Sequence, residues 1–301
     1  MKQSLDFIVA GAQKCATTWL YQCLREHPSL CLPAKKREVE FIGGDLYAKN
    51  GPDWFFSLFR DYAPGKVMGD VSVEYLVDAR SPRVLSQNSP DLKIIASLRD
   101  PIDRLISAYF WYQRKGMIDN LDIESGIELC FKYFPADDPG GTGKYYKDLI
   151  TRGFYDVQLL RYLERFQPQK MMLILYEDIK KDPLPVIQNI FQFLGVEKEF
   201  IPQGINDQPK KNSYIEALVR IEKISKNNKF LIKLLDFVNN TFSKEKIHKH
   251  KPMLTDNSYE RLGCLYRQHL IKMREITELL PKENLSSGFF SEDNWINRYA
   301  A

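Results

Sequence analysis

Phe7-Ile8-Val9-Ala10-Gly11-Ala12-Gln13-Lys14-Cys15-Ala16-Thr17-Thr18-Trp19 is the stretch whose reading decides the fold. An apolar run of β type passes into a short polar loop with one lysine and paired threonines. An amphipathic helix follows, marked by Leu20, Tyr21 and Leu24. Strand, loop and helix in that order gather backbone N–H groups and the positive end of a helix dipole about one point. Such a point binds phosphate or sulfate. The loop is not a Walker A motif, G-x-x-x-x-G-K-[ST], because the second glycine is absent and Lys14 stands three residues before the threonines. Taken alone, the stretch also reads as an ordinary strand-to-helix turn with a solvated lysine.

A second anion point lies further along. Residues 92–98 form a core strand that ends in Arg99-Asp100-Pro101, and the helix predicted over 101–115 carries Arg104 and Ser107. Arg99 offers a planar fork for phosphate oxygens and Ser107 a hydroxyl. Both points fall on the carboxyl edge of a parallel sheet, where open α/β sheets bind ligands. Two such points suit a nucleotide phosphorylated at both ends of its ribose.

The rest of the chain alternates in the same way. Strands are predicted over 5–10, 30–32, 66–68 and 171–175, and helices over 17–27, 53–62, 81–87, 155–165 and 184–194, the last closed by Gly195. Residues 33–44 read as a charged loop, 70–75 as a polar loop and 117–144 as loop-rich, while 214–280 are almost wholly helical. The pattern predicts an α/β fold with a parallel sheet covered on both faces. No repeat or linker interrupts it, so residues 1–301 read as one domain, with an α/β core over 1–212 and a mainly helical extension over 213–301.

Composition narrows the function. The 301 residues carry a formal charge of +4, which suits one basic pocket and not a nucleic-acid track. No segment approaches the roughly 20 apolar residues of a membrane span, and residues 1–6 leave no room for a signal peptide. Five cysteines, Cys15, Cys23, Cys31, Cys130 and Cys264, lack metal-ligand spacing. Free thiols in a reducing cytoplasm are expected.

In these residues the chain resembles the sulfotransferases that use 3′-phosphoadenosine 5′-phosphosulfate (PAPS). Gly11 to Thr18 is similar to their 5′-phosphosulfate loop, G-x-x-K-x-x-T-[TS]. Arg99 to Tyr109 is similar to their 3′-phosphate segment, R-[ND]-P-x-x-R-x-x-S-x-[YF]. The likeness continues through Arg152-Gly153-Phe154-Tyr155 and Tyr176-Glu177-Asp178. It covers the first two hundred or so residues well and the helical remainder poorly. It implies a three-layer fold akin to nucleotide kinases, with a P-loop-like turn, and no metal.

The resemblance also implies roles. Gly11, Gln13, Lys14, Cys15, Ala16, Thr17, Thr18 and Trp19 would hold the 5′-phosphosulfate, with Lys14 neutralising charge on the bridging oxygen as the sulfuryl group leaves. Arg99 and Ser107 would hold the 3′-phosphate, with Tyr155 beside them. Lys210, Lys211 and Asn212 would close over the cofactor, although a solvated Lys-Lys pair is the competing reading. Glu38-Val39-Glu40-Phe41-Ile42 is similar to the E-V-x-F-F motif of glycan sulfotransferases, which implies that Glu38 is the general base. Glu40, Asp70 and a histidine remain alternatives. His27 ends a helix and reads as structural, and His248, His250 and His269 lie far downstream.

One departure bears on the acceptor. Glycan enzymes carry lysine in an E-K-[ST]-P-x-Y loop, where this chain has Val71 after Asp70. The acceptor walls are expected from Glu40, Phe41, Tyr47, Trp54 and Tyr75, with further carboxylates at Asp45, Asp70 and Glu74 and a variable loop at 117–146. Aromatic and acidic groups together suit a small cationic acceptor. The expected reaction is sulfuryl transfer to a hydroxyl, amine or guanidine nitrogen, for instance of a saxitoxin-type guanidinium alkaloid from secondary metabolism. A glycan, lipid or polyketide acceptor is the alternative within the class. A nucleotide kinase or a non-catalytic nucleotide-binding module is the alternative outside it. The expected partner is a small molecule, with no nucleic acid or membrane. The apolar stripes of the C-terminal helices, such as Leu218, Ile221 and Ile224, serve a core or a homodimer surface.

Overall fold

The structure is a computed structural model that describes residues 4–34, 41–119, 121–207 and 254–300. The chain divides into two compact units, one comprising Met1–Arg104, Arg152–Pro209 and Gly263–Ala301, the other Leu105–Thr151 and Lys210–Leu262.

The first unit is built on a parallel sheet of five strands: β1 (Phe7–Gly11), β2 (Leu30–Cys31), β3 (Val67–Val71), β4 (Lys93–Leu98) and β5 (Met171–Leu175). Their order is β2-β3-β1-β4-β5. The chain therefore lays down β2 and β3 on one side of β1 and then crosses to the other side for β4. That reversal places the end of β1 at the topological switch point. Every residue of β1 and β5 is buried, as parallel strands covered on both faces require. Gly69 lies opposite Phe7 in the register, and a Cβ there would come within 2.0 Å of the Phe7 ring. The glycine lets the ring lie flat across β3.

Helix α1 (Thr17–Glu26) packs Trp19, Leu20, Cys23 and Leu24 into the core beside Phe191 and Leu194 of α10 (Pro183–Leu194). It stops at His27 before proline, and His27 is structural. Its Nδ1 accepts from Ser29 N–H at 3.1 Å, its Nε2 meets the Glu197 carbonyl at 3.0 Å, and its ring packs on Phe191 and Phe200. Gly195 closes α10 in the left-handed conformation, at φ +78°.

Two local expectations need correction. The polar loop expected over 70–75 is partly strand and partly helix: Asp70 and Val71 belong to β3, and α3 (Glu74–Val77) follows directly. Pairing with β1 decides this, since Ile8 lies beside Asp70 and Val9 beside Val71. The aromatic helix begins earlier, as α2 (Asp45–Phe56). Gly51 breaks its φ/ψ, and Pro52 starts its second half. Residues 176–181 form a short helix, α9 (Tyr176–Lys181). Helices α4 (Ser81–Asn88) and α8 (Tyr155–Leu163) fall where expected.

Within the first unit the chain's last part is tied to the sheet. Ser286 N donates to the Leu173 carbonyl at 3.1 Å, and the Ser286 hydroxyl accepts from Leu175 N at 2.9 Å. Gly288 N then donates to Asp178 at 2.8 Å, and the final helix, α12 (Trp295–Ala300), buries Trp295 with its ring 6.1 Å from that of Tyr155. The long helix α11 (Asp256–Leu279) supplies His269, whose Nδ1 lies 2.8 Å from the buried Asp156 carboxylate and whose ring stacks on Phe154.

The second unit corrects the loop-rich reading of 117–144. It contains the body of α5 (Pro101–Arg114), then α6 (Ile123–Tyr133) and α7 (Gly143–Thr151). Asp122 caps α6 through its carboxylate, which accepts from Ser125 N at 3.0 Å. Ile123, Ile127 and Cys130 give α6 a buried face. Gly126 makes room for Tyr109, whose ring would lie 2.2 Å from a Cβ at that position. Glu124 accepts from Thr255 N at 2.6 Å and Ser258 Oγ at 2.5 Å, and the Arg261 guanidinium covers the Phe131 ring at 4.1 Å.

Candidate active site

The first loop leaves β1 at Gly11, where φ is +148° and a Cβ would press on the Leu76 side chain at 3.3 Å. Lys14 at φ +69° and Ala16 at φ +63° both adopt the left-handed conformation without being glycine. Each such residue costs about 1–2 kcal/mol, and strain of this kind collects where a loop must present its backbone. Left-handed residues on either side of Cys15 curl the loop, and inside the curl Cys15 N donates to the Ala12 carbonyl at 3.3 Å. Ala16 is also the N-cap of α1; it offers no side-chain acceptor, and the first turn holds no acidic residue. The helix N-terminus therefore faces the loop with its dipole uncompensated by a side chain.

Packing holds this loop in place. Ala12 N donates to the Ser97 carbonyl of β4 at 2.7 Å, which ties the loop to the neighbouring strand. Cys15 is wholly buried, its thiol 3.5 Å from the Gln13 carbonyl, and burial pushes its pKa up to about 12 against the pull of Arg99 and Arg104. It is a packing residue under the loop. Trp19 serves the core in the same way: it is 2% exposed and its indole N–H donates to the Ile205 carbonyl at 3.3 Å. Thr17 is buried and Thr18 exposed.

Arg99 stands at the end of β4, the strand beside β1. Tyr155 donates its phenol to the Arg99 carbonyl at 2.9 Å, the guanidinium lies 4.6 Å from the Tyr176 ring centre, and Nη2 reaches Asp103 at 3.4 Å. Its buried Nε has no hydrogen-bond partner among the described residues. Arg99 shares a cavity of about 330 Å³ with Asp103, Tyr176, Glu177, Lys180 and Lys181. Asp100 caps the helix that follows. Its carboxylate accepts from Ile102 N at 2.9 Å and Asp103 N at 3.0 Å, capping α5. Ser107 lies on α5 in the second unit.

On the other side of β1, Asp70 is buried on β3 and accepts the Tyr75 hydroxyl at 2.6 Å. Tyr75 Oη in turn accepts from Ile42 N at 3.2 Å, and the Phe41 ring meets Tyr75 edge-on at 5.4 Å. Burial, followed by the Asp70 charge, holds the Tyr75 phenol well above its ordinary pKa, so it stays a donor. Glu74 and Arg152 make a two-pronged ion pair at 3.0 Å on each arm. Tyr47 and Trp54 lie on α2, with Tyr47 edge-on to Phe55 at 5.8 Å. Glu38, Glu40, Lys210, Lys211 and Asn212 lie outside the described residues, as do His248 and His250.

Sequence reading left out Tyr176 and Glu177 as site residues. They follow β5 directly, so the carboxyl-edge rule that marks Arg99 points to them too. Their distance from Arg99 along the chain hides the contact.

A parallel sheet whose carboxyl edge carries a curled loop, an uncapped helix N-terminus and a half-buried arginine defines the class, an α/β protein with a P-loop-like turn. The chain belongs to the sulfotransferase domain family, which matches residues 4–274. It is 28% identical over 288 residues to the bifunctional heparan sulfate N-deacetylase/N-sulfotransferase 4 of Mus musculus, covering 91% of this chain and 30% of that protein. With the N-deacetylase/N-sulfotransferase 3 of Homo sapiens it shares 29% over 290 residues, 92% of this chain and 30% of the relative. The chain thus spans about 30% of the length of these curated relatives. A sulfotransferase from Alicyclobacillus acidocaldarius has the same fold, with a TM-score of 0.63 at 22% identity over 91% of this chain and 96% of that one. Among the described residues no helix is long and apolar enough to cross a membrane.

Proposed function

We propose that the chain is a PAPS-dependent sulfotransferase acting on a nitrogen or hydroxyl acceptor. The observation that carries this reading is the pairing of two anion points at the ends of adjacent strands, the first loop after β1 and Arg99 after β4, joined by the Ala12–Ser97 hydrogen bond. The residues fit the cofactor: the curled loop offers N–H groups to one anion, and the buried Arg99 Nε lacks a partner among the described residues until a second anion supplies one.

PAPS, when bound, supplies an activated sulfuryl group. The chain's own residues position it and balance charge. The loop amides and Thr17 and Thr18 would bind the 5′ end, Arg99 the 3′-phosphate, and Tyr155 would keep the Arg99 backbone in register. Lys14 would place positive charge at the bridging oxygen, where negative charge grows in a loose in-line transfer. A carboxylate would take the acceptor proton. Glu38 is the first candidate, because Asp70 is buried and already accepts the Tyr75 hydroxyl.

The acceptor reading favours an amine or guanidine nitrogen, supported by identity to relatives named N-sulfotransferases. Of the carboxylates expected to meet a cationic acceptor of the saxitoxin type, Glu74 is paired with Arg152, Asp70 with Tyr75 and Asp45 with Arg80. The five thiols, all free, fit a reducing cytoplasm. A transfer assay with radiolabelled PAPS tests the reading, using a free-amine glycan, a small guanidinium compound and a hydroxylated lipid as acceptors. Label on a nitrogen acceptor is expected. No label on any of the three, with tight binding of ATP and magnesium, would favour a nucleotide kinase instead.

A further inference from the structure

Within the first unit, His269 and Asp156 form a pair that the transfer chemistry above does not use. Asp156 is wholly buried in the first turn of α8, and one oxygen of its carboxylate accepts from His269 Nδ1 at 2.8 Å. The other oxygen is buried without a hydrogen-bond partner among the described residues, so the imidazole is what anchors the carboxylate. The same imidazole lies flat on the Phe154 ring, with centroids 3.8 Å apart and planes 17° apart. His269 therefore grips the residue before Tyr155 and the residue after it. Tyr155 is the group whose phenol holds the Arg99 carbonyl at 2.9 Å.

We infer that His269 is a positioning residue of the 3′-phosphate site, acting on Arg99 through Phe154, Asp156 and Tyr155. This rests on the PAPS reading, in which Arg99 meets the 3′-phosphate. Phe154 is the N-cap of α8 and offers its first turn no side-chain hydrogen bond. A helix start of that kind must be fixed from outside. Two rings of α11 do so. Phe154 lies between them, His269 against its face and Tyr266 edge-on at 5.8 Å. Gly153 lets the chain approach, since a Cβ there would stand 2.8 Å from the Tyr266 ring. The hydrogen bond to a carboxylate then pins Asp156, one residue beyond Tyr155.

A histidine held by a buried carboxylate is also the pairing that prepares a general base. The two roles predict different losses. A positioning residue loses affinity for the 3′-phosphate, whereas a base loses turnover.

Calorimetric titration of the full chain with adenosine 3′,5′-bisphosphate, and with adenosine 5′-monophosphate, which lacks the 3′-phosphate, reads the first loss. H269F keeps a ring over Phe154 and removes the donor to Asp156. It is expected to weaken bisphosphate binding by roughly fivefold to twentyfold and monophosphate binding by less than about twofold. D156N keeps the shape of the pair without its charge, and is expected to show the same selectivity with a smaller loss, also where H269F yields no folded protein. A double-mutant cycle with Y155F locates the path: H269F is expected to add less than about twofold to the loss already present in Y155F. The KM for PAPS should rise in H269F while kcat stays within about threefold of wild type. No loss in either variant, equal losses for the two nucleotides, additive losses in the cycle, or a fall in kcat with bisphosphate affinity unchanged would overturn the inference while leaving the cofactor reading intact. Absence of bisphosphate binding in the wild-type chain would overturn the cofactor reading and this inference with it.

Discussion

The phenol of Tyr155 donates to the carbonyl oxygen of Arg99 across 2.9 Å, so the first residue of α8 holds the backbone of the residue that follows β4. Two segments far apart in the chain meet at the atom that decides where the arginine fork points. Tyr155 is wholly buried, and burial holds its hydroxyl well above the ordinary tyrosine pKa, so the donor survives at any pH the fold tolerates. Tyr155→Phe leaves the carbonyl without its partner and is expected to cost about 1–3 kcal/mol of stability. Bisphosphate affinity should drop several-fold with the same ratio at pH 6 and pH 8 (both approximate), since no proton is exchanged at this group. Calorimetry and urea unfolding check the two effects separately.

Lys14 and Ala16 both hold a left-handed backbone, yet they should respond in opposite ways to substitution. Lys14→Ala removes the charge at the crest of the loop and is expected to lower kcat by about a hundredfold to a thousandfold, as loss of a preorganised transition-state group does. Its melting temperature should barely move, because the side chain is only half-buried. Ala16→Gly relieves a conformation that L residues adopt at a cost of about 1 kcal/mol or more, and is expected to raise stability by up to about that amount. Paired measurements of kcat and thermal unfolding on both variants check this.

The parts legible in the sequence were those in which one local signal sufficed. β1 and β5 are unbroken apolar runs, α1 ends at His27 before proline, and α10 ends at a left-handed Gly195. Arg99 could be placed because it follows a recognisable strand. What failed depended on partners elsewhere. Asp70 looks like a loop residue until β1 pairs alongside it, and α6 hides behind a glycine whose purpose appears only when Tyr109 packs on it. Glu74 reads as a carboxylate of the acceptor walls, and only folding reveals its ion pair with Arg152.

That pair supplies a further expectation. The side chains of Glu74 and Arg152 are 27% and 10% exposed, so removing one leaves the other charged and largely out of water. Glu74→Ala is expected to destabilise by about 2–4 kcal/mol, and Glu74→Gln by less, because the amide oxygen can still accept one arm of the fork. Should Glu74→Ala prove neutral in urea unfolding, the carboxylate is free for an acceptor cation and the alkaloid reading regains ground.

Cys15 and Cys23 link stability to alkaline pH. Burial pushes both thiols from 9.0 to about 12 in the folded chain, so the unfolded chain releases these protons first. Their contribution is therefore whole below pH 9.0 and is lost as pH rises from there toward about 12. Cys15→Ser is expected to flatten that fall, since a serine hydroxyl does not titrate in the window. At neutral pH the thiolate is the reactive form and both groups are protonated and covered, so iodoacetamide should modify the exposed Cys264 first and spare Cys15. Mass spectrometry after brief native labelling distinguishes them. Rapid alkylation of Cys15 in folded protein would mean that the loop opens, and with it the curl that the first anion point requires.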